Sequence, residues 1–247
     1  MPPSLRIRAV NTAPDSENRI HEARTAAEYG FGNGLVPGVT IYGYMASAVI
    51  ERLGTEWLRR GSMDVRFHQP FYEDEEVAIS IADLPGGRIK VEAGPRASAT
   101  ASIDHNELPA NYDASYLVNR QVATRETLEP GKTLGSLDKR LDLSQPALSA
   151  PLDPFIGSER IAHPAVILGL ANELLMHNYI LGPWIHAASE VRNANLAHDG
   201  EHVQVRGKIV DAYERKGHEF VVLDVAILRG EVLISQIRHT AIWKLRK

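Results

Sequence analysis

The stretch Asp15 to Gly38, DSENRIHEARTAAEYGFGNGLVPG, gathers the side chains with the most chemical potential in this chain. His21, with an ordinary pKa of about 6.5, can take or give a proton near neutral pH. The alternative use of such a histidine is to order the loop by bonding a backbone carbonyl. Asn18, three residues earlier, is of the type that bonds nearby backbone in turns. The Ser16 hydroxyl can position a water but cannot act as a carboxylate base, and Asp15 could supply that carboxylate only if the loop shifts by one residue. Pro37-Gly38 precedes a long apolar segment. A helix starting there offers unpaired N–H groups and a positive dipole end to an oxygen gaining negative charge. Gly38 serves either close approach of a ligand or tight helix packing.

A second set lies far along the chain. Asn172, Glu173 and His177 fall within one and a half turns of an otherwise apolar helix, and the i to i+4 spacing puts Glu173 and His177 on one face. Glu173 and His177 can pair at the edge of the buried helix or at a dimer interface. Arg59, Arg60, Lys139 and Arg140 could meet phosphates or simply be solvated.

Composition narrows the field. Net charge is -4, with 27 basic against 31 acidic residues, so nothing draws in nucleic acid or anionic lipid. Hydrophobic residues at 44% and charged residues at 23% describe a chain that folds. There is no cysteine, which removes disulfides, thiolate metal sites and cysteine nucleophiles. Ten histidines occur without an HExxH or other paired zinc spacing, so no metal is expected. No P-loop, complete dinucleotide motif or G-x-S-x-G elbow is present. MPPSLRIRAV has no apolar signal core, and the longest apolar run, Ala165 to Ala171, is too short to span a bilayer. We expect a soluble, cytoplasmic protein with no membrane partner.

The elements that must carry these residues repeat. A helical segment from Gly38 to Gly54 precedes EWLRRGSMDVRFHQPFYEDEEVAIS, and one from His163 to Ile180 precedes PWIHAASEVRNANLAHDGEHVQV. Trp57 and Trp184, Val65 and Val191, Asp74 and Asp199, and Val77 and Val203 follow in the same order. Both helices are apolar over most of their circumference, so each needs a sheet curved around it. Met63, Val65 and Phe67 alternate with polar residues, and Val221, Leu223, Val225 and Ile227 also fall at period two. Pro85-Gly86-Gly87 and Arg215-Lys216-Gly217 read as hairpin turns. We expect an α+β protein with an N-terminal unit over 1–105, a connection over 106–130 and a C-terminal unit over 131–247. SQPALSAPLDPF, with three prolines, reads as a long loop before the second helix.

A helix wrapped by an antiparallel sheet, written twice, resembles a double hotdog protein, in which two units join their sheets edge to edge as a pseudo-dimer. Ser16 to Gly38 is similar to the signature of MaoC-like, type 2 enoyl-CoA hydratases: D-x-N-P-x-H, an alanine-containing acidic helix, G-F, and a hydrophobic pair before H-G. Asn18, Ile20, His21, Gly30, Phe31 and Gly38 fall on it. Ser16 stands where the family has its catalytic Asp, Arg19 replaces the Pro, and Pro37 replaces the His before Gly38.

The resemblance implies an acyl-CoA thioester as ligand. Water would be added to a 2-enoyl-CoA, or removed from a 3-hydroxyacyl-CoA, with the thioester oxygen received at the Gly38 helix start. No cofactor is implied beyond the coenzyme A of the substrate, and further homodimerisation is not required. In the second half Ile161-Ala162-His163 precedes its helix as the family's pair and His do, but no Asn-x-x-His stands upstream, so one active pocket per chain is expected. Glu173 on the central helix resembles the carboxylate of hotdog acyl-CoA thioesterases, which makes hydrolysis the competing activity. A non-catalytic acyl-thioester-binding protein is the third reading.

Overall fold

The computed structural model describes residues 5–103, 113–144, 155–156 and 158–246. The loop expected over SQPALSAPLDPF lies almost wholly outside the described residues. In the first half, strand β1 (Leu5–Arg8) is followed by a 3-10 turn (Arg19–His21), α1 (Ala23–Glu28), α2 (Gly38–Leu53) and α3 (Trp57–Arg60). Strands β2 (Ser62–Phe67), β3 (Glu76–Leu84), β4 (Arg88–Ala93) and β5 (Ala97–Ser102) complete it. The chain then forms β6 (Gln121–Val122), β7 (Leu137–Arg140), β8 (Phe155–Ile156) and β9 (Ile161–Ala162). Helix α4 (Pro164–Asn178), β10 (Tyr179–Ile180), β11 (Ile185–Asn193), β12 (His202–Arg215), β13 (His218–Arg229) and β14 (Val232–Lys244) follow.

Ten strands form one antiparallel sheet in the order β1-β3-β4-β5-β2-β11-β14-β13-β12-β7. Read outward from the β2/β11 seam, the two halves have the same order. The seam register pairs Asp64 with Glu190, Val65 with Ser189 and Met63 with Val191. A two-fold through the Asp64–Glu190 pair therefore carries Val65 onto Val191, as the sequence echo requires. The hairpin turns fall as expected: β3 ends at Leu84 and β4 begins at Arg88, while Lys216 and Gly217, both with positive φ, join β12 to β13.

Helices α2 and α4 touch each other on one face of the sheet. Their breadth of apolar surface explains why: Tyr42, Tyr44, Met45, Ala46 and Val49 of α2, and Leu168, Ala171, Leu174 and Leu175 of α4, are fully buried. Each large side chain so placed contributes roughly 1.5–3 kcal/mol. Trp57 is buried as well, donates from Nε1 to the Ser62 carbonyl, and fills the space a side chain at Gly61 would need. Strand β13 is buried on both faces, with Val222 and Ala226 buried on one side and the alternating Val221, Leu223, Val225 and Ile227 on the other.

The stretch read as a connection contributes to packing beyond a simple link. Leu128 is buried in the core, and β6 pairs in parallel with β10. Further on, the Asn178 side chain at the end of α4 accepts from the Gly135 N–H (2.7 Å) and donates to the Gly135 carbonyl (2.9 Å), which seats Leu134 in the core.

Candidate active site at the Asn18–His21 turn

The loop before α1 is built by its own polar side chains. Ser16 Oγ accepts from the Asn18 N–H (3.1 Å), and Asn18 Oδ1 accepts from the Ile20 N–H (3.4 Å) to cap the 3-10 turn. Asn18 then reaches the other half of the molecule: Nδ2 donates to the Trp184 carbonyl (2.9 Å) and Oδ1 accepts from the Trp184 N–H (3.1 Å). Arg120 adds a bidentate bond to Glu17, at 3.0 and 2.9 Å, while bonding the Tyr179 carbonyl. Asn18 thus orders the loop and fastens it to the second unit.

His21 Nδ1 lies 2.7 Å from the Leu35 carbonyl oxygen, which can only accept, so Nδ1 carries the proton. Nε2 is therefore unprotonated and accepts from Asn18 Nδ2 at 3.3 Å. Burial holds this imidazole below the usual histidine range, partly offset by its bond to Leu35. It is therefore a neutral base at pH 7 with a defined tautomer. Its main chain is pinned too, since Asn11 Nδ2 donates to the His21 carbonyl (2.9 Å).

Two cavities meet at this turn. One, of about 260 Å³, is walled by Ile41, Phe31, Phe67, Phe71, Ile242 and Leu245. The other, of about 430 Å³, has Ser16, Lys139, Arg140 and Glu173 on its walls. Asn18, His21, Pro37, Asn172 and Trp184 line both, so His21 stands where the two cavities adjoin. Asn172 Oδ1 is enclosed there without a hydrogen-bond partner among the described residues.

Helix α2 starts beside His21. The Pro37 carbonyl receives the Thr40 N–H (3.0 Å) and the Ile41 N–H (3.3 Å). The N–H groups of Gly38 and Val39 have no partner among the described residues. A Cβ on Gly38 would lie 2.9 Å from His186 Nδ1 and 3.1 Å from its Cβ and Cγ, so the glycine makes room for the ring of His186. Burial, then the neighbouring His239, hold His186 well below the usual histidine range, with the Ala188 carbonyl acting in the opposite sense. Burial alone lowers His239 to about 3.

The remaining sequence candidates separate. Asp15 is exposed and lines neither cavity. Glu173 pairs with Lys139 of β7, each side chain 39% exposed, and His177 lines neither cavity. Arg59 and Arg60 are exposed on α3, with Arg60 bonded to Glu56 at 2.7 Å. At the second helix start, His163 Nδ1 accepts from the Ala165 N–H (3.2 Å) and Nε2 bonds Ser47 Oγ of α2 (3.0 Å). It is a cap and a helix-to-helix bridge. The cavity there is about 20 Å³, room for about one water against the 260 Å³ at Gly38.

His186 was not legible beforehand. Ser189, Val191 and Asn193 share the inward face of β11 at period two, but His186 is out of phase with them. Only the register shift between His186 and Ala188 turns it inward. Among the described residues no cluster of three or more His, Asp or Glu is placed to hold a metal, and no helix is long and apolar enough to cross a membrane.

This fold is the double hotdog. Solved structures of that architecture superpose over nearly the whole chain, although sequence comparison finds no matching family profile and no matching curated protein. A MaoC domain protein of Chloroflexus aurantiacus, named as a dehydratase, matches with a TM-score of 0.73 at 9% identity, covering 100% of this chain and 95% of that one. A Mycobacterium tuberculosis protein described as a double hotdog matches at 0.62 and 11% identity, over 98% and 94% of the two chains. A Lactobacillus plantarum protein named as an oleoyl thioesterase matches at 0.57 and 12% identity, over 100% and 98%.

Proposed function

We propose that this protein binds an acyl-CoA thioester in the joined cavities and interconverts a 2-enoyl-CoA and the 3-hydroxyacyl-CoA. The observation that carries this is the neutral His21, its Nε2 lone pair at the boundary of the two chambers, close to the unpaired N–H groups of the α2 start. Phe67, Phe71, Ile242 and Leu245 on the wall of one cavity suit an acyl chain, and Lys139 and Arg140 on the wall of the other suit the phosphates of coenzyme A. Structural neighbours named as a dehydratase and a thioesterase support acyl-thioester chemistry in general.

In the forward direction a water in the joined cavities displaces Asn18 Nδ2 from His21 Nε2 and gives Nε2 a proton as the water oxygen bonds to Cβ. The double-bond electrons move toward the thioester oxygen, which the Gly38 N–H receives. The His21 imidazolium returns the proton to Cα, so water is added with no net oxidation. A single base suffices for both transfers, which fits a site whose Ser16 is not a carboxylate.

Purified protein incubated with crotonyl-CoA and longer enoyl-CoAs tests the reading. Loss of enoyl absorbance without free thiol is the expected result. Release of free thiol makes the protein a thioesterase, and thermal stabilisation without turnover makes it a binding protein; either overturns the proposal.

A further inference from the structure

The cavity of about 260 Å³ that begins at His21 and Gly38 has a second boundary, which the hydration chemistry does not use. A further cavity, an open one of about 650 Å³, is lined by Tyr29, Ala123, Pro183, Trp243 and Lys244. It shares no residue with the 430 Å³ cavity that holds Lys139 and Arg140. With the 260 Å³ cavity it has one residue in common, Leu245. The 260 Å³ cavity thus adjoins one neighbour at His21 and the other at Leu245.

Leu245 directly follows β14 and is 8% exposed. It belongs to a small hydrophobic cluster apart from the main core, with Ile20, Ala26 and Leu35, against which Phe31 and Ile242 pack. Leu35 is also the residue whose carbonyl takes the His21 Nδ1 proton, so one cluster seats both ends of the cavity. The chain after Leu245 is held by the turn between β12 and β13. There the Arg246 N–H donates to His218 Nδ1 (3.1 Å), and Arg246 Cδ lies 3.2 Å from where a Cβ on Gly217 would stand. Leu245 is thereby fixed between the two cavities.

We propose that Leu245 is the end wall of the acyl site and limits the substrate to short and medium acyl chains. The inference rests on the acyl-thioester reading of this pocket, with the thioester oxygen at Gly38 and coenzyme A on the Lys139 side. A dry cavity of about 150 Å³ takes benzene, so on that scale 260 Å³ holds roughly ten carbons. Up to that length each buried methylene strengthens binding about fourfold. Beyond it the chain meets the Leu245 side chain. Shortening that side chain joins the acyl site to the 650 Å³ cavity, where Tyr29, Ala123, Pro183 and Trp243 receive a longer chain.

The test is calorimetric binding of unreactive butyryl-, octanoyl- and palmitoyl-CoA, below micelle-forming concentrations, to wild type, Leu245→Ala and Leu245→Phe. Each affinity is taken relative to butyryl-CoA on the same variant, so a loss of folded protein cancels. Wild type is expected to bind octanoyl-CoA at least about tenfold more tightly than butyryl-CoA, and palmitoyl-CoA at least about tenfold more weakly than octanoyl-CoA. Leu245→Ala should bring palmitoyl-CoA level with octanoyl-CoA, while Leu245→Phe should remove most of the octanoyl preference. Wild type holding palmitoyl-CoA as tightly as octanoyl-CoA overturns the proposal, and this is the result if the chain leaves past the exposed His68 and Gln69 instead. A palmitoyl-to-octanoyl ratio in Leu245→Ala within about threefold of wild type overturns it as well. Absence of binding by any acyl-CoA rejects the thioester reading itself and this inference with it. The expected chain-length pattern without hydration of 2-octenoyl-CoA upholds Leu245 as the end wall and rejects only the hydratase activity.

Discussion

The Asn18 carboxamide is bonded to both backbone groups of Trp184, giving a hydrogen bond to its carbonyl at 2.9 Å and taking one from its N–H at 3.1 Å. One buried side chain thereby couples the Asn18–His21 turn of the first half to the start of β11 in the second. Asn18→Ala leaves two buried Trp184 groups unpaired. The expected loss of unfolding free energy is about 2–4 kcal/mol in urea denaturation. A loss under about 0.5 kcal/mol would mean that water replaces the side chain freely.

His21→Ala is expected to lower crotonyl-CoA hydration by ~10²–10⁴-fold. Since the folded His21 is held below the usual histidine range by burial, the base stays unprotonated into mildly acidic solution. The kcat/KM profile should therefore hold its plateau down past pH ~6.5 and fall only as pH drops through the lowered value. An acid limb centred above ~6.5 would contradict the environment described for His21.

Three histidines, His21, His186 and His239, have folded pKa values below the unfolded one. The unfolded chain then binds more protons, so stability rises with pH in this range. Their contribution is fully present above pH ~6.5 and is lost progressively as pH falls, for His239 down to about 3. Urea midpoints at pH 7.5 and 5 should show a fall that shrinks in His239→Gln. Equal midpoints at the two pH values would be inconsistent with buried neutral imidazoles.

Glu173→Gln and Asp15→Asn are both expected to leave hydration within about twofold of wild type. Glu173 is engaged by Lys139 in a half-exposed pair, whose loss should cost no more than ~1 kcal/mol of stability. Asp15 is exposed and faces neither cavity. Activity abolished at Glu173 and indifferent to His21 would move the chemistry to α4 and favour hydrolysis.

Gly38→Ala forces a methyl against the buried His186 ring, with its nearest atom 2.9 Å away. Overpacking of this kind typically costs 1–3 kcal/mol, so a comparable drop in urea stability is expected together with reduced hydration. A variant as stable and active as wild type would show that His186 can yield its place without consequence.

The repeating order of helix and strands, the two hairpin turns and the apolar breadth of α2 and α4 were legible in the sequence because each is a local pattern. Period two, period near 3.6 and glycine at positive φ are written residue by residue along the chain. Asn18 and His21 were legible as a pair three residues apart. Which of their readings applied was not, because the atoms that decide it, the carbonyl of Leu35 and the main chain of Trp184, carry no side-chain signature. The pairing of Glu173 with Lys139 rather than His177 followed from the placement of β7 at the sheet edge. Tertiary structure alone put His186 beside Gly38 and left Asn172 unpaired between two cavities. Those outcomes depend on the seam between β2 and β11 and on one register shift in β11, and a single residue of slip there would turn the strand's side chains to the opposite face.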